Sequence, residues 1–140
     1  MNTDEQWLRK AIRLAEQCPT SETAFSVGAI IVDAEGNEIA NGYSRERDPK
    51  DHAEEIAISK VDDPTRLVGA TIYSSLEPCG QRASRPAPCA QLIINSGISR
   101  VVSAWSEPSD FVDQPCGYQV LRDAGVEVDE FPSIATPNYR

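Results

Sequence analysis

Apolar and polar positions along the chain follow two alternating periods, which predict helices interleaved with strands. Trp7, Leu8, Ala11, Ile12, Leu14 and Ala15 recur at helical spacing. Thr3 with Gln6 makes a capping-box pattern ahead of them, and Pro19 closes the element. From Phe25 to Val32 the chain is apolar and β-branched, Glu35-Gly36-Asn37 is turn-like, and Glu38 to Tyr43 continues, so a β-hairpin is predicted. The charged stretch Ser44 to Asp51 then leads into a second helix, His52 to Val61, with Ala53, Ile56, Ala57 and Val61 at helical spacing and Asp51 as its cap. Asp62-Asp63-Pro64 breaks that helix. Ala70 to Leu76 and Arg100 to Trp105 read as strands. Between them a helix opens at Pro88 or Cys89, runs through Ile94 and closes at Gly97. A short helix from Gln119 to Ala124, ended by Gly125, and a last strand from Val126 to Phe131 complete the pattern.

A hairpin followed by helix–strand repeats predicts an α/β fold, a mixed sheet of about five strands with helices on both faces. Residues 1–131 form one domain on this reading, and residues 132–140, with two prolines and no periodicity, an irregular tail. A chain of 140 residues suits a single core. No stretch approaches the roughly 18 apolar residues of a membrane span. The first helix mixes charge throughout, unlike a secretory leader, so the four cysteines are expected reduced in a cytoplasmic protein rather than paired in a secreted one. Cys18 and Cys116 then read as ordinary thiols.

A net charge of −9 argues against nucleic acid as partner. Locally the balance differs. Arg45, Arg47, Lys50, Arg82 and Arg85 fall in two segments that border the candidate chemistry, and a positive rim there would suit a small anionic substrate. Solvated loop charge is the alternative for each residue taken alone.

The chemistry concentrates between Lys50 and Cys89. His52, the one histidine of the chain, is followed by Glu54, then by Leu76-Glu77-Pro78-Cys79 and by Arg85-Pro86-Ala87-Pro88-Cys89. One imidazole and two thiolates are ligands Zn²⁺ prefers, and three protein ligands leave the fourth position for water, as in catalytic sites. Glu54 is the group that would move protons at that water. A purely structural clip would need a fourth ligand, for which Cys116 is the remaining candidate. His-x-Glu followed by Pro-Cys-x-x-Cys is a known signature of zinc deaminases. This chain departs from it, with nine residues rather than two between Cys79 and Cys89.

On His52-Ala53-Glu54 and Leu76-Glu77-Pro78-Cys79 the chain resembles the cytidine/deoxycytidylate deaminase superfamily. Its long inter-cysteine segment is similar to that of the riboflavin-pathway pyrimidine deaminases. Thr23 to Ala29, Gly42 to Glu46, Glu107-Pro108 and Asp110-Phe111-Val112 resemble the fungal-type branch. The resemblance implies a cytidine-deaminase-like three-layer sandwich, Zn²⁺ on His52, Cys79 and Cys89, and a proton shuttle at Glu54. It also implies a small phosphorylated aminopyrimidine as substrate and association into a homodimer or larger homo-oligomer. The reaction it implies is hydrolytic deamination of 2,5-diamino-6-ribitylamino-4(3H)-pyrimidinone 5′-phosphate.

Bacterial bifunctional relatives have Asn-Pro where Phe25-Ser26 stand here, and histidine in place of Ser44. Phe25, Ser26, Ser44 and Arg45 are therefore expected to shape a substrate site of this chain's own, with Arg82 and Arg85 at its mouth and Arg85 on the phosphate. A free-base or nucleoside deaminase and a non-catalytic zinc module are the competing readings; an intact Glu54 weighs against the second. Editing of transfer-RNA adenosine fits less well, since that family has asparagine in place of Ser44 and the chain is acidic.

Overall fold

The computed structural model describes residues 3–19, 26–48, 51–76, 89–105 and 117–131. Its elements run α1 (Thr3–Ala15), β1 (Gly28–Val32), β2 (Glu38–Tyr43), α2 (Ala53–Ser59), a 3₁₀ turn (Pro64–Leu67), β3 (Thr71–Leu76), α3 (Cys89–Ser96), β4 (Arg100–Trp105), α4 (Gly117–Asp123) and β5 (Glu127–Glu130). The strands form one sheet in the order β2-β1-β3-β4-β5. β1 is antiparallel to both β2 and β3, while β3, β4 and β5 are parallel. This is the expected mixed five-stranded sheet.

Side-chain phase along the strands sorts two cores. Ile30, Val32, Tyr73, Val102 and Ala104 meet Leu8, Ala11 and Ile12 of α1 on one face. Ala29, Ile31, Ile72, Leu76 and Val101 meet α2, α3 and α4 on the other, through Ala53, Ala57, Ala90, Ile93 and Leu121. Among the described residues the result is a three-layer arrangement, one helix, sheet, three helices. Arg100 on β4 pins the single-helix layer. Its Nη1 and Nη2 grip Asp4 of α1 at 2.9 and 2.7 Å, its Nε reaches Asp129 of β5 at 2.8 Å, and Tyr73 donates to Asp4 at 2.7 Å.

Two glycines set how closely the helices approach. A Cβ on Gly28 would lie 2.0 Å from the Ala11 carbonyl oxygen, so α1 rests directly on the backbone of β1. A Cβ on Gly42 would lie 2.7 Å from both Ala53 O and Ala57 N, so α2 rests in the same way on β2. The second approach matters most, because α2 carries the candidate chemistry at its first turn.

Several boundaries differ from the sequence expectation. The first strand begins at Gly28 rather than Phe25, because the Val27 N–H is taken by the Ser44 hydroxyl at 2.9 Å instead of by a strand partner. α2 begins at Ala53, with His52 in the capping position and extended. Asp51 is not the cap. Its carboxylate accepts the Arg47 and Asp48 N–H groups at 2.9 and 2.8 Å and braces the preceding loop instead. The segment 132–140 lies outside the described residues.

Candidate active site

Two helix N-termini converge at one place. His52 precedes the first turn of α2, its N–H directed to Glu55 Oε1 at 3.4 Å, and Cys89 is the first residue of α3. Although 37 positions apart, His52 Nδ1 and Cys89 Sγ stand 3.3 Å from each other, with Cys89 fully buried. Two ligands of one tetrahedral Zn²⁺, at ordinary Zn–N and Zn–S lengths, lie about 3.5 Å apart. The pair therefore fits a shared metal, and its donor set is the soft one zinc favours. Cys79 lies outside the described residues, as do Phe25, Arg82 and Arg85. Leu76, three positions before Cys79, ends β3.

Glu54 is buried at 4% exposure, two residues past His52. Ser74 of β3, with no exposure, donates its hydroxyl to Glu54 Oε2 at 2.9 Å and lies 2.7 Å from the Leu76 carbonyl oxygen. A hydroxyl has one proton and two lone pairs. With Glu54 ionised, that proton serves the carboxylate; with Glu54 protonated, the acid can donate to Ser74 while Ser74 donates to Leu76. The arrangement can hold the carboxyl in either state.

The remaining described candidates form a second cluster. Ser26 and Ser44 are both buried. Arg45 adopts a left-handed backbone, φ 59°, and its guanidinium donates to the Pro19 carbonyl at 3.1 and 2.7 Å and to Ser26 Oγ at 2.9 Å. Its own N–H donates to the carbonyl of Asp51, the residue before His52, at 2.9 Å. Ser44 Oγ accepts from Val27 N–H at 2.9 Å. The structure thus brings Ser26, Ser44 and Arg45 together beside the start of α2, with each already bonded to protein. Half-buried Cys18 directs its thiol at the Val27 carbonyl at 3.5 Å, and burial pushes that thiol up, against the opposing effect of Arg45.

Ser74 was missed by sequence reading. The signal lay in strand phase: Ile72, Ser74 and Leu76 share the helix-facing side of β3, and a serine interrupts that apolar row. Its register partner on β4, Ser103, does the same and hydrogen-bonds the Tyr118 hydroxyl of α4.

A mixed sheet flanked by helices on both faces, with His-x-Glu opening one helix and a cysteine opening the next, defines the cytidine-deaminase class of α/β protein. Residues 1–105 match the model of the family described as the cytidine and deoxycytidylate deaminase zinc-binding region. The chain belongs to that family.

Among curated relatives, the diaminohydroxyphosphoribosylamino-pyrimidine deaminase of Schizosaccharomyces pombe is 42% identical over 129 residues, which is 90% of this chain and 31% of the relative. The riboflavin biosynthesis protein RibD of Aquifex aeolicus is 37% identical over 127 residues, 90% of this chain and 34% of that protein. The chain thus spans about a third of the length of these curated relatives. Among solved structures, Acinetobacter baumannii RibD superposes with a TM-score of 0.78 at 32% identity, over 91% of this chain and 35% of that one. The Aspergillus oryzae Rib2 deaminase in complex with DARIPP gives 0.76 at 27% identity, over 92% of this chain and 84% of that one. No helix among the described residues is long and apolar enough to cross a membrane.

Proposed function

We propose that this domain hydrolytically deaminates a diaminopyrimidine bearing a phosphorylated sugar chain, 2,5-diamino-6-ribitylamino-4(3H)-pyrimidinone 5′-phosphate, in riboflavin biosynthesis. The observation that carries the reading is the meeting of His52 Nδ1 and Cys89 Sγ at 3.3 Å, with the buried Glu54 carboxylate two residues from the histidine. Family membership supports the zinc, and the relatives named for riboflavin-pathway deamination support the substrate class.

His52, Cys79 and Cys89 would hold the Zn²⁺, which when bound acidifies water toward neutral pH. Glu54 then manages the protons. Its carboxylate takes one proton from the attacking water and passes it to the ring nitrogen beside the carbon under attack; it then takes the second from the hydroxyl now on that carbon and gives it to the amine, which leaves as ammonia as the carbonyl forms. Burial on α2 keeps the carboxylate out of bulk water, so the proton is delivered to substrate rather than lost. Arg82 and Arg85 form the mouth of the pocket in this reading, with Arg85 on the phosphate. Phe25, Ser26 and Ser44 shape the wall that receives the sugar chain, where Arg45 holds Ser26 in place.

Competition tests the substrate. The ribitylamino and ribosylamino phosphates are supplied together at equal concentration and the deaminated products are compared. Excess ribityl product is expected, since sites built around substrate hydroxyls discriminate strongly. Preference for the ribosyl compound, or for an unphosphorylated base or nucleoside, would overturn the assignment and leave the zinc chemistry standing.

A further inference from the structure

We infer that Ser74 is a positioning residue for Glu54, holding the carboxylate from the sheet while α2 holds it from its own backbone. The inference deepens the proposed function and rests on its assignment of Glu54. Ser74 sits on the central strand β3, in hydrogen-bonded register with β1 on one side and β4 on the other. Pairing on both sides fixes where the strand holds that hydroxyl. The side chain is fully buried in a row otherwise made of Ile72 and Leu76, where an apolar residue would bury more favourable surface. A serine there needs a use for its oxygen. Its Oγ has two: 2.9 Å to Glu54 Oε2 and 2.7 Å to the Leu76 carbonyl.

With Glu54 ionised, the one Ser74 proton is committed to Oε2 across the gap between sheet and helix, while the Ser74 oxygen stays within 2.7 Å of the Leu76 carbonyl on its own strand. The side chain thus links a carboxylate on α2 to the end of β3, the strand that leads toward Cys79. The terminal torsion of a Glu side chain is broad, so a fixed donor on the sheet narrows it, and catalysis loses steeply when a group strays by about 1 Å.

The test uses the full chain loaded with zinc. Ser74→Ala should lower kcat about tenfold, the effect of a carboxylate held less closely to its working position, with KM and zinc content nearly unchanged and Tm lowered by the lost hydrogen bond. Ser74→Thr, which restores the hydroxyl, should recover most of the rate. In a Glu54→Asp background, where the shortened carboxylate no longer reaches Ser74, Ser74→Ala should cause little further loss. Unchanged kcat in Ser74→Ala, or an equal tenfold loss in both backgrounds, would overturn the inference. A Ser74→Ala variant that lost zinc would also overturn it, by making the serine a support of the metal ligands instead. Normal turnover in Glu54→Gln is a different failure, since it removes the role of Glu54 itself.

Discussion

Gly42→Ala is the substitution that most directly probes how the fold sets the active site. The added methyl would stand 2.7 Å from Ala53 O and Ala57 N and 2.9 Å from Ile56 Cγ2. Two of these three atoms are backbone, so no side-chain rotation relieves the clash. Ordinary contact begins at 3.4 Å, and α2 must back away from β2 by about 0.7 Å to reach it. Overpacking of this kind costs about 1–3 kcal/mol, a fall in Tm of roughly 4–12 °C for a chain of this length. His52 and Glu54 ride on the displaced turn, while Cys89 on α3 and Ser74 on β3 do not. The shift therefore opens the His52–Cys89 and Glu54–Ser74 contacts together. Misplacement on that scale costs roughly 10–100-fold in kcat, and zinc should bind more weakly as well. Gly36→Ala is the control. That glycine has φ +92° with nothing within 4 Å, so the change strains the β1–β2 turn but leaves α2 in place. Thermal melts, metal analysis and steady-state kinetics on both variants separate the effects. Gly42→Ala with wild-type Tm and kcat, or kinetics no worse than those of Gly36→Ala at equal stability, would refute the reasoning.

Glu54→Gln should keep zinc and fold while turnover falls by at least about 10²–10⁴-fold, since the carboxylate serves several proton transfers; near-normal ammonia release would disprove its role. Arg85→Ala should raise KM for the phosphorylated substrate and barely move it for the dephosphorylated one, with an equal change for both pointing to a structural role. The Arg100 guanidinium holds the Asp4 carboxyl below its ordinary range, and Tyr73 adds to the effect against the cost of burial. A depressed pKa contributes stability that is complete above the ordinary carboxylate value, about 3.9, and is lost as pH falls through the folded value. Asp4→Asn should therefore lower Tm at pH 7 and flatten its dependence below about pH 4. Parallel acid-melting curves for variant and wild type would contradict this.

Much of the fold was legible because burial on one side imposes a period. Arg100–Trp105 was read to the residue, its β-branched run being bounded by polar signals on both sides. Gly97 and Gly125 closed their helices as expected, both at φ +90°. What failed was local competition for hydrogen bonds. Asp51 has the chemistry of a cap, yet two loop N–H groups claimed its carboxylate, and His52 took the position. Ser26 and Val27 were read into the first strand, but Ser44 satisfies Val27 from the side and the ladder starts at Gly28. The 3₁₀ turn after Asp63 was read simply as a helix break. Its Thr65 N–H is held by the Asp63 carboxylate at 3.1 Å, a contact between neighbours that no period betrays.

The candidate site was legible in its signature residues and not in what surrounds them. His52, Glu54 and Cys89 belong to a signature, and the fold sets His52 Nδ1 against Cys89 Sγ, with Glu54 two residues further along on α2. Ser74 belongs to none. Its role depends on strand phase and on the packing of α2 over β3, both properties of the tertiary structure. Ser26 and Ser44 were read as pocket hydroxyls, and each is found bonded within the protein, to Arg45 and to Val27. Any role toward a polyol must therefore be shared with those bonds. Phe25, Cys79, Arg82 and Arg85 fall outside the described residues, so their part in the site rests on sequence.

In the proposed reaction, zinc held by His52, Cys79 and Cys89 drives deamination of the ribitylamino pyrimidine phosphate with Glu54 as proton shuttle. The most direct measurement is ammonia release from that compound by purified protein of known zinc content, before chelation, after chelation, and after zinc is restored. The account predicts about one zinc per chain, steady release, its loss with the metal, and its return on reloading. Protein that carries no zinc, or that keeps its zinc and releases no ammonia from this substrate, would contradict it.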